Sequence, residues 1–336
     1  MTTTTLPTPD AAVDADGTRE TRVERITALA QQQGGLAALV VVVVLSCIFS
    51  DGFATTGNFQ SILVGNSYTA LLALGMTFVI ITGGIDLSVG SVFALGGVLA
   101  AWGANHGGIV VAMALPVAVA LVLGWVHGML VAKARLAPFI VTLAGMLFAR
   151  GLLQAITNEG STTFLVPQGS PFLWLGDGVW RPILTAVILF VLGGLLLVRT
   201  RFGQSLFALG GSENAALLMG LPVRRTKVQV YMLSAGIAGV AGMLNASRLQ
   251  SGVTNIGVGY ELTAIAAVII GGTLLTGGAG SVLGTAAGVL LLAVIQNLIG
   301  VHLSQYGSSA SDLANGLFLA VVVLIQTTLQ RVRRLP

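Results

Sequence analysis

The sequence predicts an all-α, polytopic helical membrane protein of about ten transmembrane helices, on the rule that roughly 20 mainly apolar residues cross a bilayer. Three observations carry that expectation: the composition, the spacing of the apolar runs, and the placement of basic residues between them. Of the 336 residues, 55% are hydrophobic and 8% charged, with a mean hydropathy of +0.92. A soluble domain carries about 25% charged residues, so this chain lacks the groups to wet a surface. Its 45 Gly suit helices that pack closely in lipid, where small residues let backbones approach. The net charge of +4 would point to nucleic acid in a soluble protein. Here positive-inside topology accounts for it, and no nucleic-acid partner is implied. The single Cys47 excludes an internal disulfide and a cysteine metal site.

Residues 1–33 are Thr-, Pro- and Asp-rich, then charged, and have nothing with which to form a core, so they read as a disordered cytoplasmic tail. Residues 34–331 form the transmembrane domain and 332–336 a short cytoplasmic end. Apolar runs place spans at 35–51, 61–82, 87–104, 109–131, 138–156, 182–199, 228–248, 261–276, 281–301 and 312–330. The first and eighth are short, so a half-crossing segment would reduce ten spans to nine. With the N terminus inside, ten spans put thirteen of the sixteen Lys and Arg in the cytoplasm, all but Arg150, Arg181 and Arg248. Both termini are then cytoplasmic, and the long loop 157–181 faces outward.

Residues 75–101 organise the chain. An apolar run ends at Thr82, is broken by Gly83 and Gly84, passes a lone Asp86 and restarts at Val89. Backbone groups freed at such a break cannot be satisfied by lipid, and Asp86 and Ser88 are the side chains able to cap the following helix. Either the break is a tight interhelical turn or Asp86 lines a solute path. A second interruption, Gly271-Gly272 and Gly277-Gly278, lies in the other half and hints at paired broken segments around a central pathway.

The stretch 203–226 is longer than a connection needs. Ser212 is an N-cap candidate, Glu213 and Asn214 fall in the first turn, Ala215 to Met219 favour helix, and Gly220 terminates it. A short surface helix flanked by glycine suits docking to a cytosolic partner; the alternative is an unattached amphipathic turn lying on the membrane. Catalytic chemistry is absent from the sequence. Lys133 and Lys227 are followed by Ala and Val, so there is no phosphate-binding loop. His106, His127 and His302 are scattered and form no metal motif. The remaining interior polar groups near spans are mostly neutral, among them Asn66, Thr77, Gln154 and Asn245. With Asp86, Ser88 and Glu261 they are the candidate translocation path, each also open to reading as an interhelical hydrogen bond. Neutral groups suit an uncharged polyhydroxy solute; an ion-coupled secondary sugar transporter, the rival reading, usually carries several acidic or histidine groups within its spans.

Gly83-Gly-Ile-Asp-Leu-Ser-Val-Gly-Ser91, the stretch Gly210-Gly-Ser-Glu-Asn-Ala-Ala-Leu-Leu-Met-Gly220 and Gly259-Tyr-Glu-Leu-Thr-Ala-Ile-Ala-Ala-Val-Ile-Ile-Gly-Gly-Thr273 resemble the permease subunits of monosaccharide ABC importers. Within that group, Arg199-Thr-Arg-Phe-Gly203 and Tyr231-Met-Leu-Ser234 look closest to the second permease subunit of the galactofuranose importer. The resemblance implies a vitamin-B12-type (type II) permease fold in a bacterial inner membrane. It implies a second permease, a different paralogue or an identical copy, and a cytosolic ATPase with tandem nucleotide-binding domains. ATP and Mg would sit on that ATPase, with no cofactor or metal on this chain, and an extracytoplasmic binding protein would deliver the sugar. By position the resemblance makes Gly211, Ser212, Glu213, Asn214, Ala215, Ala216, Leu217, Met219 and Gly220 the coupling helix. Where the family often has Asp, this chain has Thr263, leaving Glu261 as the nearby carboxylate.

Overall fold

A computed structural model describes residues 35–303 and, beyond them, positions 310, 313, 314, 316–318 and 320. The predicted tail, the C-terminal end and most of the predicted span 312–330 lie outside the described residues. The chain runs through α1 (Gly35–Phe49), α2 (Thr56–Ile81), α3 (Val89–His106), α4 (Gly108–Ala132) and α5 (Pro138–Ile156). It continues through α6 (Trp180–Arg199), α7 (Arg201–Gly211), α8 (Glu213–Leu218), α9 (Val223–Leu249), α10 (Tyr260–Ile270) and α11 (Val282–Leu303). A two-residue antiparallel ladder pairs β1 (Phe164–Leu165) with β2 (Ser251–Gly252).

Six of the described helices, α2, α4, α5, α6, α9 and α11, are long and apolar enough to cross a membrane. They divide into two classes. The spans of α2, α9 and α11 are 78%, 72% and 56% buried, whereas those of α4, α5 and α6 are only 28%, 28% and 22% buried. The first set forms an inner layer that faces protein, and the second, on average more apolar, an outer layer whose Leu, Val and Ile side chains, such as Val187, Val191, Leu195 and Val198, remain exposed. Such a face calls for lipid or another subunit against it rather than water.

At the centre stands α3, buried from Val89 through Ala101 and packed against α4, α5, α9 and α10. Close approach is made possible by glycine on both sides of the α3–α9 crossing. A Cβ added at Gly96 would sit 3.0 Å from the Gly239 carbonyl oxygen, and one at Gly242 would collide with the carbonyl of Phe93. Polar side chains join other helices: Asn58 and Asn297 exchange amide hydrogen bonds between α2 and α11. Thr77 and Thr285 hydroxyls lie 2.7 Å apart deeper in the same contact.

One predicted span is corrected. The run 261–276 gives a helix of 11 residues that ends at Ile270, because Gly271 and Gly272 (φ 88°) turn the chain. Eleven residues rise only about 16 Å, against a hydrocarbon core of about 30 Å. Gly252 lies against Val98 and Ala101, and Gly257 against Gly90, so residues 253–259 run down the side of α3 before α10 begins. Gly257 is buried there, while Asn255 and Val258 stay exposed. The runs 35–51 and 87–104 give helices of 15 residues and 18 residues, neither among the six long apolar ones. The predicted coupling loop 203–226 is also largely helical: α7 fills its start, and α9 begins at Val223 rather than 228.

Basic residues separate the two ends of the bundle. Lys133, Arg135, Arg199, Arg201, Arg224, Arg225 and Lys227 lie where α4, α6 and α7 end or start and where α5 and α9 begin. Three cations at the start of α9 oppose its dipole, so helix stability is not their reason; membrane topology is. Among the described residues, three arginines away from this end hold backbone. Arg248 donates to Gly178 O at 2.6 Å. Arg181 pairs with Asp177 at 2.7 Å and lies over the Trp174 ring. Arg150 donates to Thr254 O at 2.9 Å and to Ile256 O at 3.1 and 3.2 Å, satisfying carbonyls of the non-helical run 253–259.

Two expectations follow. Gly242→Leu should abolish recovery of folded protein in mild detergent, because overpacking costs about 1–3 kcal/mol even where side chains rather than backbone must yield. Gly151→Leu, where an added Cβ meets nothing within 4 Å, should be recovered at the wild-type level in the same size-exclusion assay. Arg150→Met should lower the thermal midpoint in detergent and open residues 253–259 to proteinase K, since each charge-assisted bond contributes about 1.5–3 kcal/mol.

Candidate functional site

The two glycine-broken segments and the end of α7 meet at one place, at the basic end. After Ile81 the chain leaves α2 through Thr82 and Gly83 (φ 78°), with the Gly83 and Gly84 amides donating to Ile80 O and Val79 O. The Gly278 amide (φ 78°) donates to Ile81 O at 2.9 Å, joining the second break to the first. Against both lies the last turn of α7: a Cβ at Gly210 would collide with the Ile81 carbonyl and the Gly278 amide, and Gly211 packs on Gly278. A single residue, Ser212, separates this junction from α8.

The sequence signals for α8 are met in detail. Ser212 is extended (φ −163°, ψ 111°) and its hydroxyl accepts from the Ala215 amide at 3.3 Å. The helix ends at Leu218, and Gly220 takes φ 76°, the left-handed conformation that glycine adopts without a Cβ penalty. Ala216 is buried against Leu209 and Val223, while Lys227 donates to both Glu213 carboxylate oxygens at 2.7 Å. Seated in this way, α8 presents Leu217, Leu218 and Met219 outward at 52%, 91% and 78% exposure. Gly211, Asn214 and Ala215 are also exposed.

Asp86 is fully buried one step inside the junction. One oxygen accepts from the Ser88 amide at 3.0 Å and the Ser88 hydroxyl at 2.6 Å; the other accepts from the Ser234 hydroxyl of α9 at 2.9 Å. His127 Nδ1 of α4 lies 3.5 Å from the Ser88 hydroxyl. The carboxylate thus closes the α2–α3 turn and ties it to α9. Neither Asp86 nor Ser88 caps the later amides of α3, contrary to the capping expected from sequence: Ser88 stands at the N-cap but makes no side-chain cap bond.

The other candidate path residues do not converge. Asn66 donates back to Ile62 O at 2.9 Å and lines an apolar groove of about 620 Å³ between α2, α6 and α11. Thr77 is buried against Thr285. Gln154 is exposed on α5. Asn245 keeps a buried side-chain oxygen without a partner, and half-buried Glu261 lies in the first turn of α10. Sequence reasoning missed Ser234, whose only signal is its place on an apolar helix. It also missed Arg150 as a backbone ligand, although Arg150 stands out as a cation within a span, and Tyr231, whose hydroxyl is buried without a partner. Among the described residues no group of three or more His, Cys, Asp or Glu could hold a metal.

Comparison with known proteins agrees with this architecture. Residues 58–326 match the family described as branched-chain amino acid transport system / permease component. The chain is 38% identical to the ribose import permease protein RbsC of Escherichia coli K12 over 308 residues, covering 89% of this chain and 94% of that one. It is also 38% identical to the inner membrane ABC transporter permease protein YjfF of the same strain, covering 82% of this chain and 85% of that one. To the fructose import permease protein FruG of Bifidobacterium longum it is 34% identical, covering 88% and 91%. No solved structure matches the chain. A multi-pass helical bundle, matched over most of its length by permeases rather than by enzymes, belongs to this family of ABC transporter permease components.

Proposed function

We propose that this chain is the membrane-spanning subunit of an ATP-driven importer, forming the translocation path for a monosaccharide, a pentose or hexose, delivered by an extracytoplasmic binding protein. The observation that carries the reading is α8: a capped helix clamped by Lys227, displaying three apolar residues, and joined through Gly210 and Gly211 to both helix breaks. That is the geometry of a lever. A cytosolic ATPase with tandem nucleotide-binding domains grips α8, and ATP and Mg reside on that partner. Its closure moves the junction of residues 81–84 and 277–278, and access alternates because the ATPase binds two permease states unequally. The similarity to ribose and fructose import permeases favours a sugar as cargo. The resemblance to the second permease of the galactofuranose importer makes galactofuranose one candidate among them.

The fold in this reading is the type II permease fold with about ten crossings in a bacterial inner membrane. Both termini lie on the basic, cytoplasmic side. The second permease is a different paralogue. Asn66, Gln154 and Glu261 keep polar groups toward faces that a second permease would cover, which supports a path formed between two subunits. Thr77, Asp86, Ser88 and Asn245 then support that path from within.

Replacing Glu213→Arg together with Leu217→Asp should reduce ATPase co-purification at least about tenfold, the loss of one or two interface anchors at 1–2 kcal/mol each, with normal membrane insertion. Unchanged association and uptake would overturn the docking role. A lone wild-type chain that accumulates sugar down an ion gradient would instead favour a secondary carrier. Gly210→Ala should leave ATPase association intact yet depress uptake at least about tenfold, because the new methyl cannot fit the junction that both breaks share. Uptake and co-purification measured on the same preparation separate the two variants.

A further inference from the structure

Between α8 and the bundle lies a cavity of about 570 Å³, within the roughly 300–1,000 Å³ typical of small-molecule sites. Its walls come from four elements: the turn 82–84 after α2, the α4–α5 connection, α8 and the first turns of α9. Arg135 and Arg224 face it from opposite elements. Neither is in a salt bridge among the described residues, whereas Lys227 is already neutralised by Glu213. Arg135 takes φ 56°, a left-handed backbone uncommon for a non-glycine residue. At the deep end, Tyr231 is only 2% exposed and its hydroxyl has no hydrogen-bond partner. The neighbouring wall is Gly84, where a Cβ would stand 2.6 Å from that hydroxyl. Positive-inside topology accounts for the exposed Arg135 and Arg224, but not for the buried, unpartnered hydroxyl of Tyr231 in the cavity that they line.

We propose that this cavity binds a small phosphate monoester bearing hydroxyl groups, the class to which phosphorylated sugars belong, and that occupancy braces α8 against the bundle and slows the transport cycle. Two guanidinium forks match phosphate oxygens in number and geometry. Tyr231 and the Asn214 amide supply hydrogen bonds to the hydroxyl-bearing part. Because α8 forms one wall, a ligand spanning Arg135 and Arg224 favours the state in which α8 is seated, and by linkage resists any ATPase motion that unseats it. The inhibitory consequence rests on the reading of α8 as the coupling helix; the binding itself does not.

The test uses the intact importer complex in nanodiscs of neutral phosphatidylcholine, titrated calorimetrically with ribose 5-phosphate. Saturable binding is expected, weakened at least about tenfold in the Arg135→Gln/Arg224→Gln variant by loss of two charge-assisted contacts. Tyr231→Phe, which keeps the ring, should weaken it several-fold, and ribose should not compete. ATP hydrolysis by the wild-type complex should fall on adding the ester, and that of the double variant should not. The absence of saturable binding, or equal affinity in the double variant, overturns the site. Displacement of the ester when phosphatidylglycerol replaces part of the neutral lipid assigns the cavity to a lipid headgroup and overturns the soluble ligand. ATPase co-purification on the same samples reports separately whether the coupling reading has failed.

Discussion

A backbone that leaves the helix inside a packed bundle must find its hydrogen bonds within the protein, at a cost of several kcal/mol for each buried group that does not. Three stretches of this chain face that requirement: the turn after α2, the run 253–259 and the turn after α10. Each meets it differently. The first folds its amides back onto Val79 and Ile80 and lets Asp86 close the remainder. The second borrows the guanidinium of Arg150. The third donates Gly278 N–H to the carbonyl that the first leaves free at Ile81. Two breaks therefore complete one another, and neither is satisfied alone.

That mutual dependence explains the glycine. A side chain at Gly210 or Gly277 would push apart backbones that must touch, since Gly277 already places a hypothetical Cβ 2.8 Å from the Gly83 amide. Because the contact is between main chains rather than flexible side chains, displacement of α7 has little slack before it reaches α2, α3 and α10. Packed interfaces of this kind respond to a push by changing state rather than by yielding gradually. Asp86 extends the same linkage to α9 through Ser234, so the helix that follows α8 and the turn that precedes α3 move with a shared partner.

Local chemistry was legible in the sequence where it is short-range. Ser212 as cap, Gly220 as terminator and the polar break at Gly83-Gly84 depend on a few neighbouring residues, and all stand in the structure. Long-range consequences were not. The interruption at Gly271-Gly272 is visible, but not that the helix stops there at Ile270 and the chain turns back to the first break, because glycine is tolerated within many membrane helices. The meeting of Gly210 with Ile81 and of Ser234 with Asp86 joins residues more than a hundred positions apart. No periodicity announces such contacts. Arg150 was visible as an exception to the charge rule, yet its partners are carbonyls, and carbonyls carry no sequence signature.

The same distinction decides how the polar residues of the membrane domain divide. Thr77 spends its hydroxyl on Ala73 O and Thr285, Asn58 and Asn297 spend their amides on each other, and Asp86 has both oxygens occupied. Groups already engaged between helices act as adhesive in an apolar medium, where such bonds contribute about 0.6–2 kcal/mol each. A solute that needs hydrogen bonds would have to break those contacts first, whereas exposed Gln154 offers its amide with nothing to displace. A path for an uncharged, hydroxyl-rich solute is therefore easier to build along the outward faces of α5 and α10 than through the interior of a single chain. The interior is then left to the task that its glycine and its breaks suit, which is to hold two turns and the end of α7 in register.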